Sequence, residues 1–390
     1  MVAGAEPDDD GHADDIIGKV AYEAPMPTPR SFLAWHRPRK QFVRDRQWCG
    51  EIRKLHESSP ISDGILKYLG LPGTDLLDLR HFHSAVCDAH DLKLRFLGFN
   101  SSAKPESNEQ SELNVSLDEV RRMSRVEPLS DVIGDDFSLL ANEKSIAFRR
   151  AKELGPFDVI NLDLCDGFGA QPPAGALKNS YYDAVAKLFA LQSFCMHPWL
   201  LLLTTRADKQ NVNADILNAF IAKYLENLHE CEPFRTASRD CFNVETEAAL
   251  KSVIQAPGGL LAIFLTGLCK WFATLALQNQ PPPNVEVRSV IGYTVDAKSD
   301  HEDLVSIAIR FTPTFASAKD PLGLAKNTEE APDECKISTR ALKAVAKRTN
   351  ADAKLAENAE LHQAMVDATA RLLTLARYDA AAYRVWVAKA

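Results

Sequence analysis

Carboxylates sit at the tips of several apolar runs in this 390-residue chain. The run FDVINLDL (157–164) carries Asp163 near its end and passes into Cys165, Asp166, Gly167 and Phe168. A carboxylate at the tip of a buried strand can hold an amine while a nearby ring stacks on the group bearing it. Catalysis is then largely positioning. The same residues also suit a plain strand-to-helix turn, where Asp and Gly are favoured, and both readings fit. Asp135 and Asp136 close SDVIGDDF (130–137) and precede Phe137. Asp78 lies inside TDLLDLR (74–80), and Asn100 ends LKLRFLGFN (92–100).

Two other groups could do chemistry. His81, His83, Cys87 and His90 are spaced H-x-H-x3-C-x2-H. Imidazole and thiolate suit zinc, but this short window would have to open a helix and chelate at once. No metal is assigned, and His81 and His83 are read as polar lining of a ligand pocket. In segment 29–48, Arg37, Arg39, Lys40, Arg44 and Arg46 alternate with Phe32, Trp35, Phe42 and Trp48. Such an arm can bind phosphates and stack a base on Trp35. It can equally be an amphipathic arm with its rings packed on the domain and its charges in water.

Alternating elements must hold these groups. The sequence predicts strands at 74–80, 92–100, 130–137, 157–164 and 198–206. Between them it predicts helices after residue 80, from a Ser116–Glu119 capping box, at 142–154 and at 181–194. SDGILKYLG (62–70) reads as a short helix, 101–117 as a polar loop and 209–279 as helical. Two strands at 285–295 and 302–314 form a hairpin. Apolar strands alternating with helices indicate a mostly parallel sheet covered on both faces. The expected organisation is a disordered acidic and Pro-rich tail at 1–28, a basic arm with helices at 29–72, an α/β domain at 73–316, a linker at 317–335 and a helical extension at 336–390. In the extension Leu361, Met365, Ala368, Leu372 and Leu375 form one apolar stripe, which packs on the core or on a protein partner.

Composition narrows the classes. The net charge of −8 gives no global nucleic-acid footprint. The eight cysteines form no CxxC pair, and the acidic N-terminus is unlike a signal peptide. They read as reduced thiols in a cytoplasmic, bacterial-type protein. Segment 258–278 is nearly long enough to span a bilayer, but Lys270 near its middle favours a buried helix, so no membrane association is expected.

Five parallel strand–helix steps followed by a strand hairpin resemble the class I S-adenosylmethionine (SAM)-dependent methyltransferase fold, a Rossmann-like α/β architecture. The resemblance covers roughly 74–314. It implies strand 1 at Leu76–Leu79, with Asp78 the acid before the cofactor turn and His81 and His83 beside it. It implies Asn100 at the ribose, Asp135 or Asp136 at the adenine amino group and Phe137 on the adenine ring. Asp163 then stands where amino-methyltransferases clamp the acceptor amine, with Cys165 and Asp166 lining the pocket and Phe168 stacking. DLCDGFG is distantly similar to the strand 4 motif of tRNA guanine N2-methyltransferases. The turn after the assigned strand 1, DLRHFHSA, contains no glycine. Two functions follow: a divergent SAM-dependent methyltransferase acting on an exocyclic amine of nucleic acid, or an inactive methyltransferase-like scaffold or binding subunit of a nucleic-acid-processing or defence-type assembly.

Overall fold

The computed structural model describes residues 30–103, 107–164, 167–172, 179–296, 299, 301–315, 322 and 332–389. The chain divides into residues 1–32 and 33–390, and the architecture below belongs to the second unit. The tail expected at 1–28, most of the linker, and the candidate residues Cys165 and Asp166 lie outside the described residues.

The chain enters through α1 (Pro38–Phe42), which runs on through a π-helical stretch (Val43–Cys49) into α2 (Gly50–Ser58). Pro38 opens α1 at a position where its missing N–H costs nothing. Strand β1 follows at Ile65–Gly70, then α3 (Leu77–Phe82) with its own π-helical continuation His83–Cys87. Next come β2 (Lys93–Phe99), α4 (Asn108–Arg121), β3 (Asp131–Ile133), α5 (Ile146–Leu154), β4 (Val159–Asp163), α6 (Tyr181–Gln192) and β5 (Trp199–Arg206). Four helices, α7 (Ala214–Glu230), α8 (Glu232–Phe242), α9 (Glu247–Gln255) and α10 (Gly259–Leu277), precede the hairpin of β6 (Asn284–Tyr293) and β7 (Leu304–Thr312). The last elements are α11 (Glu334–Ala346), β8 (Thr349–Asn350), α12 (Ala351–Glu357), α13 (Ala359–Leu375) and α14 (Ala380–Ala388).

The sheet order is β3, β2, β1, β4, β5, β7, β6, β8. The first five strands are parallel, and β7 is antiparallel to both β5 and β6. Helices cover both faces. On one face Leu66, Leu94, Phe96, Leu200 and Leu202 pack against Val43, Trp48, Ile52, Leu79 and Phe82. On the other, Leu69, Leu97, Ile160, Leu162, Leu201 and Leu203 meet Val185, Leu188, Phe264 and Leu268. This is the mostly parallel, Rossmann-like sheet of methyltransferase type, closed by an antiparallel hairpin.

Strand 1 is displaced from its expected place. The segment ILKYLG is the strand, not a helix, and Leu77–Phe82 is a helix, not a strand. Leu76, at φ 53°, makes the left-handed bend that starts this helix. The α/β unit therefore begins before residue 73. In α4, Ser107 is the cap, accepting from Gln110 N, and Ser116 is buried in mid-helix. The thiols are not all reduced: Cys231 and Cys335 form a disulfide, while Cys49, Cys87, Cys195, Cys241 and Cys269 are free. Helix α10 is long and apolar enough to cross a membrane, and 78% of its most apolar window is buried inside the fold. Lys270 is satisfied there by Asn227 Oδ1 at 2.6 Å and Lys223 O at 3.0 Å.

Candidate functional site at the carboxyl edge of the sheet

The direction in which successive strands are added reverses between β1 and β4. Open α/β sheets bind ligands beyond the carboxyl ends of their strands at such a reversal. Strand β1 leaves it through Gly70–Leu71–Pro72–Gly73. Gly70 is level with Asn161 of β4 and with Gly98 of β2. Pro72 lies so close to β2 that a Cβ on Gly98 would stand 2.8 Å from its Cγ, so position 98 has no room for a side chain. A Cβ on Gly73 would instead meet nothing within 4 Å. One end of the turn is packed down and the other is open.

Asn100 fixes this arrangement. Its Nδ2 donates to Pro72 O at 3.1 Å, and its Oδ1 accepts from Ser102 N and Ala103 N. The amide is committed to the loops and does not face the edge as a ribose grip would. Asp136 caps the short helix Phe137–Ala141 through Ser138 N, and Phe137 is buried against Phe99 and Tyr181. Asp135 is half-buried at the tip of β3. Parallel pairing carries Asp135 and Asp163 to the same edge, three strand spacings apart, or about 14 Å.

Asp163 is on the face covered by the 38–58 segment. Its Oδ1 accepts from Lys40 Nζ at 2.7 Å, and the Lys40 side chain is 5% exposed. The ammonium also lies 4.5 Å from the centroid of the Trp48 ring, with the buried Tyr293 phenol beside it. Burial opposes the Lys40 charge, but Asp163, Tyr293 and Asp78 outweigh it and hold the pKa above its ordinary value. One turn further, Arg44 Nε donates to Asp78 Oδ1 at 2.6 Å with both groups buried. Asp78 is thus a structural counter-ion on α3. Gln47 and Trp48 continue the polar seam down the sheet, donating to Ser306 O and Ser306 Oγ.

The remaining arm cations also turn inward. Arg37 stacks on Trp386 at 3.7 Å, and Arg39 pairs with Asp352 and Thr294 O. Arg46 is the exposed one of the five. The arm packs on the fold through Phe42 and Trp48, with Lys40 and Arg44 buried, Arg37 and Arg39 half-buried, and Trp35 exposed. The histidines have separate partners: His81 pairs with Asp45, His83 with Ser124 O, and the His90 ring lies against His56. Among the described residues no group of three or more His, Cys, Asp or Glu could hold a metal.

Beyond β4, Gly167 (φ 89°) lies against Arg206 and Asn211. Phe168 donates its N–H to Thr205 Oγ1 and is fully buried among Tyr182, Trp271 and Phe272, so it stacks in the core. A cleft of about 440 Å³ opens beside this loop, between Asn211, Ile254, Leu260, His301 and Asp303. Sequence reasoning missed the turn at Gly70–Gly73, although GLPG directly after an apolar run is a turn signal. It also missed the Lys40–Asp163 pair, which joins residues 123 positions apart and leaves no local trace.

Sheet order, edge and turn define an α/β protein of Rossmann-like, methyltransferase-type fold. Over residues 29–388 the sequence matches the PP_RS20740-like family, and the chain belongs to it. No functionally curated protein matches the sequence. Among solved structures it is similar to a loganic acid methyltransferase with SAH, at a TM-score of 0.31 and 8% identity over 74% of this chain and 99% of that one. A likeness of that size adds nothing to the topology.

Proposed function

We propose that the edge between β1 and β4 binds SAM and that the protein is a divergent SAM-dependent methyltransferase. The observation carrying this reading is the glycine turn Gly70–Gly73 at the sheet's reversal, next to the strand that bears Asp163. The resemblance asks for a glycine turn after strand 1, and with β1 at Ile65–Gly70 the chain has one. The fit holds at the turn, where Gly73 leaves open space, and at Asp163. It fails at Asn100 and Phe137, whose side chains are committed elsewhere. SAM would supply an electrophilic methyl group. Asp163 would orient an acceptor amine and take up its proton, as it now holds the Lys40 ammonium.

Nucleic acid as acceptor draws no support from the arm, because Arg37, Arg39, Lys40 and Arg44 are engaged inside the fold. A second reading, a binding subunit without transfer, is favoured by one observation: the amine on Asp163 is the chain's own Lys40. Calorimetric titration with SAM, together with a methyl-transfer assay on small amines, separates the two. Binding with transfer is expected. Binding without transfer to any amine would favour the subunit. A chain that binds no SAM would end the enzyme reading.

A further inference from the structure

The surroundings of Lys40 Nζ form a built cation site. Asp163 Oδ1 accepts from it at 2.7 Å, the Trp48 ring offers its π-system at 4.5 Å, and Tyr293 stands beside it. Trp48 is 0% and Tyr293 2% exposed, so the ring of the first and the hydroxyl of the second act where water screens little. A carboxylate opposite an aromatic face is the chemistry that recognises alkylated ammonium ions, because a ring quadrupole attracts a diffuse positive charge. The Asp163 side chain is 19% exposed, so the site reaches solvent on that side. Lys40 reaches the site from α1.

We propose that Asp163, Trp48 and Tyr293 form a cation-binding box in which Lys40 is the resident ligand, and that a small exogenous ammonium or sulfonium ion occupies it when Lys40 withdraws. The box is defined by these residues alone and holds with or without methyl transfer. Lys40 is then a built-in competitor for any cationic ligand that approaches Asp163.

The test is chemical rescue. Lys40→Ala leaves a half-buried carboxylate unpaired and should lower Tm by several degrees. Propylammonium chloride should restore most of that loss, while propanol, propionate and matched sodium chloride should not. The added substitution Asp163→Asn should abolish the rescue. Equal recovery with propanol, or none with propylammonium, overturns the proposal. If Lys40→Ala does not fold, the wild-type chain gives the answer through reductive methylation followed by peptide mass spectrometry. Labelling of Lys40 should rise when trimethylsulfonium is added and stay constant with added sodium. Unchanged labelling overturns the proposal. Rescue by propylammonium in a chain whose wild type binds no SAM would keep the box and remove the methyltransferase reading.

Discussion

Two buried titrating side chains pull the stability of this protein in opposite directions with pH. Burial, reinforced by Arg44, lowers the His36 imidazole to about 4. The unfolded chain then binds more protons than the folded one between about pH 4 and 6.5, so His36 adds stability as pH rises through that window. Burial raises the Asp158 carboxyl to about 6 despite the Lys67 N–H it accepts. Its contribution is full below its ordinary value and is lost as pH climbs through about 6. Each shift of about two units is worth about 3 kcal/mol. The wild type should therefore show a flat pH profile across this range. Asp158→Asn should expose the His36 slope, gaining up to about 3 kcal/mol between pH 4 and 6.5 in urea unfolding. Parallel profiles for the two proteins would contradict this. Neither group was legible in the sequence, because their burial comes from the 3₁₀ turn at Ala34–His36 and the start of β4, which meet their neighbours only in the fold.

At the scale of elements, the extension is stapled twice to the helical layer. Cys231, the N-cap of α8, is bonded to Cys335 in the first turn of α11, closing a separation of 104 residues. Beside it Glu334 accepts from Ser338 and Asn227 and lies 3.5 Å from Lys270. Loop-closure entropy for so long a loop is worth roughly 4–5 kcal/mol. Cys335→Ser should lower the unfolding free energy by about 3–4 kcal/mol, and dithiothreitol should reproduce the loss in the wild type but not in the variant. An unchanged denaturation midpoint would contradict the staple. Spacing alone does not pair cysteines so far apart, whereas strands β2 and β4 to β7 were legible because their apolar runs are long and bounded by turn residues; β3 covers only Asp131–Ile133 of the expected 130–137. Strand β1 was not: Lys67 and Tyr68 interrupt its run, and TDLLDLR, whose second half opens a helix, imitates a strand better.

For the whole molecule, the N-terminal helical segment, the sheet edge and the C-terminal helices form one connected assembly. The Tyr383 hydroxyl donates to His36 O, the Tyr378 hydroxyl to Asp75, and Arg80 to Leu375 O. Helices α13 and α14 thereby clasp the entry to the 38–58 segment and the turn after β1, the two elements that frame Asp163. Of the stripe Leu361, Met365, Ala368, Leu372 and Leu375, Met365 and Leu372 are buried in this internal packing, Leu361 and Ala368 are half-buried, and Leu375 is exposed. The alternation of strands and helices was legible in the sequence, whereas the place of β1, the turn at the edge and the pairs that occupy the edge depend on chain-distant packing. Titration calorimetry with SAM on the wild type and on Gly73→Leu tests the central claim most directly. A leucine there would project into open space and leave Tm unchanged. The expected result is saturable binding to the wild type that Gly73→Leu abolishes. No heat from the wild type at millimolar SAM, or equal binding by both proteins, would contradict the account.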